Sequence, residues 1–267
     1  MIGLIRTSLV LAAFVVLSLS LIPVQYVFLR LKNGWKTALP VFFHRIVARL
    51  FGFRIHIHGE MQTDRPLLLV SNHISWSDIV VLSAVGPVSF IAKSEVKNWP
   101  IFGMFAVLQR TVFVERERRG KTAKQASEIA RRLAGGDVMV LFPEGTTSDG
   151  NRVLPFKTAL FGAAHAAIRE TDVDEVIVQP VAIAYIRLHG MAMGRYYRPI
   201  VSWPGDVELL PHLKGILREG AIDVEVRFGE PIRVTAETNR KTLAQISEKR
   251  VRTLLQSALL QREISDE

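Results

Sequence analysis

Asn72 and His73 stand directly after an apolar run, Leu67-Leu68-Leu69-Val70-Ser71, and Asp78 follows the histidine by five residues. An imidazole beside a carboxylate can act as a general base. The carboxylate accepts Nδ1–H, fixes the tautomer, leaves Nε2 to take a proton, and favours the imidazolium that results. Five residues along a regular helix would splay the two side chains apart, so they meet only if residues 73–77 form a turn leading into a helix. With seven histidines and nine aspartates, such a spacing arises roughly 0.2 times by chance, so the pair gains weight only from its surroundings. A second polar segment, Pro143-Glu144-Gly145-Thr146-Thr147-Ser148-Asp149-Gly150, follows the apolar run Val138–Phe142. Proline and glycine force a loop there, and Glu, Thr and Ser line it with polar groups.

The elements that must carry these residues read as short strands alternating with helices. Strand patterns cover Arg54–His58, Leu67–Val70, Val88–Ala92, Thr111–Val114, Val138–Phe142, Val176–Tyr185 (broken by Pro180) and Val224–Phe228. Helical patterns cover Ser77–Ala84, Lys121–Leu133, Ala159–Arg169 and Lys241–Leu260. The last of these is most simply a core-packing helix. Strands separated by helices imply an α/β fold, a mixed or mostly parallel sheet with helices on its faces. Ligands gather at the carboxyl ends of strands in such folds, and both polar segments lie at such ends. No repeat or Gly/Ser linker interrupts the chain after residue 60, so residues 53–267 read as one domain and residues 1–52 as a separate N-terminal part.

Four stretches, taken in order, carry a resemblance. Asn72-His73-x4-Asp78, Arg110-Thr111-Val112-Phe113-Val114-Glu115-Arg116, Phe142-Pro143-Glu144-Gly145-Thr146 and Val178-Gln179-Pro180-Val181-Ala182 resemble the four blocks of the lysophospholipid and glycerolphosphate acyltransferase family. The second block is normally Gly-x-x-Phe-Ile-Asp-Arg; this chain keeps the aromatic, an acid and Arg116, but has Arg110 where the glycine stands. Lys93-Ser94-Glu95 with Pro100-Ile101-Phe102-Gly103 is similar to the segment between the first two blocks. The resemblance runs over about residues 54–187. It implies a glycerol-3-phosphate acyltransferase-like fold, with His73 deprotonating the acceptor hydroxyl and Asp78 orienting it. It also implies direct attack on an acyl thioester, acyl carrier protein or coenzyme A being the co-substrate, with no other cofactor and no metal. The acceptor site would then comprise Arg116, Glu144 and Gly145, with Thr146 alongside. No acyl-enzyme is needed, which agrees with the absence of cysteine and of any Gly-x-Ser-x-Gly elbow.

One departure bears on the acceptor. The family's phosphate-binding members usually continue Phe-Pro-Glu-Gly-Thr-Arg, and Thr147 stands here in place of that arginine. A phosphate dianion is well served by a forked guanidinium and poorly by one neutral hydroxyl, and Asp149 adds negative charge. The stretch Thr146–Arg152 resembles the branch that acylates lyso-ornithine lipid, whose headgroup carries an ammonium and a carboxylate. Asp149 would meet the ammonium, and Arg116 or Arg152 the carboxylate. Lysophosphatidic acid is the alternative acceptor, with Arg116, Arg152 or Lys157 compensating.

Bulk properties place the enzyme. Apolar residues make up 49% of 267, too many for a disordered chain and too few for a multi-span membrane protein. The net charge of +9 calls for a polyanion, either lipid headgroups or nucleic acid. Thr7–Leu29 holds no charge and at ~1.5 Å per residue is long enough for a ~30 Å hydrocarbon core. Arg6 precedes it, while Arg30, Lys32, Lys36, Arg45, Arg49 and Arg54 follow, so the remainder is expected on the cytoplasmic side of the inner membrane. A cleaved signal peptide is the competing reading. Leu39, Phe42, Phe43, Ile46, Val47 and Leu50 form one helical face, with His44, Arg45 and Arg49 behind it, suiting either an interfacial helix or a core-facing one. Arg116, Arg118, Arg119, Lys121 and Lys124 form either a solvated helix start or a contact for acidic acyl carrier protein.

The rival readings fall away on their own residues. Gly145-x4-Gly150 lacks the Lys-Ser/Thr of a phosphate loop, and His56 with His58 lacks a third metal ligand. A nucleic-acid binder would need exposed aromatics or a reading helix. A basic, membrane-tethered, non-catalytic binding protein is the other functional class, and the intact His73/Asp78 pair argues against it.

Overall fold

Leu67–Ser71 is buried along its whole length, as a strand must be when helices cover both faces of its sheet. The computed structural model describes residues 2–31, 34–114, 119–205 and 207–261. Its elements run α1 (Ile2–Leu31), α2 (Trp35–Phe51), β1 (Phe53–His58), β2 (Leu67–Ser71), α3 (Ser77–Val85), β3 (Val88–Lys93), α4 (Phe102–Leu108) and β4 (Val112–Val114). They continue with α5 (Arg119–Ala134), β5 (Val138–Leu141), α6 (Gly162–Glu170), β6 (Val176–Leu188), β7 (Met191–Ala192), α7 (Leu209–Glu219), β8 (Ile222–Phe228), β9 (Ile232–Val234) and α8 (Arg240–Leu259). The sheet order is β1-β8-β6-β2-β5-β3-β4, with β7 and β9 also on β6. All neighbours are parallel except those that β6 makes with β7, β8 and β9.

Alternation along β2 divides the core in two. Leu67 and Leu69 face a layer formed with α2, α3 and α7, including Val47, Phe51, Val81 and Leu217. Leu68 and Val70 face a layer formed with α5, α6 and α8, including Leu133, Ala164 and Leu255. The expected elements are found, with two differences. The β6 strand does not break at Pro180 but continues to Leu188. Pro180 falls where β6 changes partner, β9 pairing with residues 176–178 and β8 with residues 181–188, so its missing N–H removes no ladder bond. The helix expected from Ala159 opens instead with a 3-10 turn, Thr158–Phe161.

In α2, His44 does not share the basic back of the helix. It packs against Phe43, its Nδ1 lies 2.7 Å from the Pro40 carbonyl, and it lines an apolar cavity with Leu21, Gln25 and Phe105. Val47, Ala48 and Phe51 enter the core.

The α1 helix packs Val10, Leu11, Phe14 and Leu17 against the body. Its residues nearest the body recur at helical spacing and include the polar ones: Arg6 donates to the carbonyls of Leu217 and Phe51, and Gln25 donates to those of Lys36 at 2.9 Å and Leu108 at 3.0 Å. The outward face is aliphatic, with Leu9, Val16 and Leu19 each about two-thirds exposed.

Arg110, which stands where the resembling family has glycine, adopts a left-handed φ of +62°. That conformation costs an ordinary residue about 1–2 kcal/mol. Its guanidinium grips Asp137 with two bonds of 2.9 and 2.6 Å, and Arg132 adds a third at 2.8 Å. Burial pushes the Asp137 carboxyl up, but the two guanidiniums outweigh it and hold it below 3.8. Asp137→Asn is therefore expected to cost about 2–3 kcal/mol at neutral pH. A depressed carboxylate stabilises above its unfolded value, so the deficit should shrink as urea titrations are moved to pH values under 3.8.

Candidate active site

Parallel pairing of β2 with β5, Val70 opposite Leu141, brings the two polar segments out at the same carboxyl end of the sheet. Asn72 comes first and is spent on structure. Its amide donates to the Ile183 carbonyl at 3.0 Å and accepts from the Ile183 N–H at 2.9 Å, adding one side-chain rung between β2 and β6. Residues 73–76 then turn, and α3 starts at Ser77. The turn is wound around a carboxylate. Asp78 Oδ2 accepts from His73 Nδ1 at 2.8 Å, Ile74 N at 2.7 Å and Ser75 N at 2.9 Å, while Oδ1 accepts from the Tyr185 hydroxyl at 2.8 Å. Asp78 has no exposure, and the His73 side chain is 21% exposed. The imidazole stacks on Phe142, centroids 4.1 Å apart and planes within 14°. With Nδ1 committed, Nε2 has no protein partner among the described residues. Such a group can take a proton from a hydroxyl brought to it.

Glu144 lies beneath this turn, only 2% exposed. Its Oε1 accepts from His73 N at 2.7 Å and its Oε2 from Leu154 N at 2.8 Å, so one carboxylate ties the histidine turn to the following loop. Gly145 is buried at φ +73°, a conformation glycine takes at no steric cost. Thr146 is exposed. Thr147, at the arginine position of the phosphate-binding members, donates its hydroxyl to the Trp203 carbonyl, and Trp203 N donates to Ile74 O at 2.9 Å. Asp149 stands exposed near Arg152 and Arg195, and Arg198 donates to Asn151 in the same loop. Burial raises the Asp149 carboxyl, but its bonds to Asn151 and the charges of Arg152 and Arg195 bring it below its ordinary value.

The structure thus brings His73, Asp78, Glu144, Gly145 and Thr146 together. Arg116 and Arg118 lie outside the described residues, as do the side chains of Arg119, Lys121 and Lys124. His56 and His58 are half exposed on β1, beside Asp223 and Glu225 of β8. No group of three or more potential metal ligands occurs among the described residues. Sequence reasoning passed over Tyr185, Ser77, Trp203 and Arg198. A phenol following the aliphatic stretch Val181–Ala184 was the one available signal for Tyr185.

Burial pushes the Glu144 carboxyl up to about 7, with Asp78 and Glu248 adding to the rise and the two backbone N–H groups opposing it. A carboxyl raised in the fold stabilises most below its unfolded value, and that contribution disappears as pH climbs through the folded one. Glu144 should therefore make the melting temperature fall between pH 4.5 and about 7. Calorimetry of Glu144→Gln should show a flatter slope over that window.

Comparison with known proteins agrees with this geometry. The acyltransferase family model matches residues 53–184. The lyso-ornithine lipid O-acyltransferase of Brucella abortus is 79% identical over 266 residues, covering the whole of both chains. That of Rhizobium meliloti is 51% identical, covering 97% of this chain and 89% of its own. Among solved structures, the 1-acyl-sn-glycerophosphate (LPA) acyltransferase PlsC of Thermotoga maritima shares the fold. Its TM-score is 0.65 at 22% identity, over 99% of this chain and 100% of that one. With a full-length relative this similar and a His–Asp turn held at the mouth of the matched domain, the chain belongs to the acyltransferase family and is an acyltransferase.

Proposed function

We propose that this acyltransferase is membrane-bound and esterifies the free hydroxyl of lyso-ornithine lipid with a fatty acyl group delivered as a thioester on acyl carrier protein or coenzyme A. The observation that carries the mechanism is the 2.8 Å His73 Nδ1–Asp78 bond, which commits Nδ1 and leaves Nε2 as the ring nitrogen that can take a proton. Nε2 takes the hydroxyl proton, and the alkoxide attacks the thioester carbonyl. The tetrahedral intermediate collapses to the ester, and the departing thiolate takes the proton back from the imidazolium. The reaction needs no metal and no covalent acyl-enzyme. Gly145, Thr146 and Arg116 are proposed to bound the acceptor, with Glu144 holding the turn beneath them.

Two observations support the acceptor. The relatives of 79% and 51% identity act on lyso-ornithine lipid by name. In addition, the loop that would hold a phosphate presents Thr147 already bonded to Trp203, with Asp149 beside Arg152 and Arg195, a mixed-charge surface suited to a zwitterionic headgroup.

The membrane association is read from α1. Arg6 and Gln25 are both fastened to the body, and the 19 residue steps from one to the other span about 28 Å of helix at ~1.5 Å per residue. A helix lying along the body over that length exposes its aliphatic face to one leaflet rather than threading the bilayer. The body, with its net positive charge, would then rest on the anionic cytoplasmic face of the inner membrane. Acidic acyl carrier protein is the proposed partner for the basic segment around Arg116.

His73→Ala should lower acyl transfer about 10³-fold with the melting transition retained; unchanged transfer would sink the mechanism. Lipid mass spectrometry of a deletion strain should show ornithine lipid lost and its lyso form accumulating. Purified enzyme that acylates lysophosphatidic acid faster would instead assign the alternative acceptor. Because the chain has no cysteine, Leu4→Cys and Leu31→Cys can each be labelled alone. Both should react with an impermeant maleimide from the cytoplasmic side only, whereas a spanning helix would place them on opposite sides.

A further inference from the structure

Asp78 receives one donor from outside its own turn, the Tyr185 hydroxyl, which comes from β6, more than 100 residues away in the chain. A carboxylate offers only acceptors, so the phenol proton points to Oδ1. The second contact of the Tyr185 hydroxyl oxygen, 2.6 Å to Ser77 Oγ, must then have serine as donor. The three groups form a chain, Ser77 O–H to Tyr185 O–H to Asp78 Oδ1, in which each bond polarises the next. Ser77 and Asp78 are fully buried and Tyr185 nearly so, its ring held edge-on by Phe53. A phenyl ring would fill the same space. The hydroxyl is therefore not required for packing.

We propose that Tyr185 is a positioning residue for the reaction: by donating to Oδ1 it limits how strongly Asp78 stabilises the His73 imidazolium. This rests on His73 being the general base. A base must be neutral when substrate arrives, and a buried, undiluted carboxylate at 2.8 Å would favour the protonated ring. Three donors besides the imidazole spread that charge: Ile74 N, Ser75 N and the phenol. Only the phenol is a side chain that can be changed without moving the turn. Burial, then the charge of Asp78, keeps the phenol well above its ordinary value, so it remains a donor across the working range. The other ionisable groups facing the pair are Glu144 from the loop after β5, backed by Glu248 of α8. Asp149 and Arg198 share a small cavity with Ile74 and Tyr185.

The test is the kcat/KM–pH profile of Tyr185→Phe in the full-length, membrane-reconstituted enzyme. Losing one donor to a buried carboxylate should move the acid limb upward by about one pH unit. Activity at neutral pH should drop about tenfold and recover toward the parent plateau at higher pH. A uniform loss with an unmoved acid limb would mean a packing role only and would overturn the proposal. Should Tyr185→Phe not fold, Ser77→Ala weakens the same donor from behind, and a smaller shift in the same direction is expected; no shift overturns the idea. Glu144→Gln separates out titration of that carboxyl, since the Tyr185 shift should persist in its background. His73→Ala keeps the two readings apart. Activity surviving it refutes the general base itself, whereas loss in His73→Ala with an unmoved Tyr185→Phe profile refutes only the role of the phenol.

Discussion

A carboxylate with no access to water has to be met by donors on all sides, and this requirement at Asp78 organises the site. The residue has zero exposure and four donors. Two of them are consecutive backbone N–H groups, and they can reach one oxygen only if the chain between β2 and α3 bends tightly around it. The bend then aims His73. Leaving such a charge unpaired would cost several kcal/mol, so the geometry of the turn and the ionisation of the aspartate sustain each other. The imidazole is oriented by a constraint that belongs to folding.

The sheet supplies what the turn cannot. Parallel pairing of β2 with β5 carries His73 and Glu144 to the same carboxyl end, and β6 on the other side of β2 contributes both the Ile183 rung for Asn72 and the hydroxyl of Tyr185. Three strands therefore converge on one carboxylate and one imidazole. The α1 helix leaves a long aliphatic face uncovered. It turns Val10, Leu11, Phe14 and Leu17 to the body along with Ser18 and Gln25, and leaves Leu9, Val16 and Leu19 facing out. The body beneath it buries its own apolar residues on both faces of the sheet in the ordinary way.

Much of this was legible in residue order because it depends on local pattern. The run Leu67–Val70, the glycine and proline around Glu144, and the helical pattern of Ser77–Ala84 each announce their element. The five-residue interval from His73 to Asp78 demanded a turn into a helix, and that is what stands there. What was not legible depends on partners distant in the chain. Pro180 looked like a break because its missing N–H has consequences only relative to neighbouring strands, and the gap between β8 and β9 makes it harmless. Arg110 looked like a lost glycine, yet it holds the left-handed conformation itself, clamped by Asp137. His44 looked solvent-facing because the helix that covers it lies earlier in the chain. Tyr185 gave almost no signal, since its role is defined by an oxygen more than 100 residues away.

Two buried carboxylates lie close together here, and their surroundings treat them differently. Asp78 collects four donors, one of them an imidazole that can carry a positive charge. Glu144 collects two neutral backbone donors, and burial beside Asp78 and Glu248 pushes it up to about 7. In the proposed mechanism the aspartate supplies a fixed charge to the base. The glutamate, held through its contacts to His73 N and Leu154 N, can gain or lose its proton while still accepting both bonds, so the turn keeps its shape in either state.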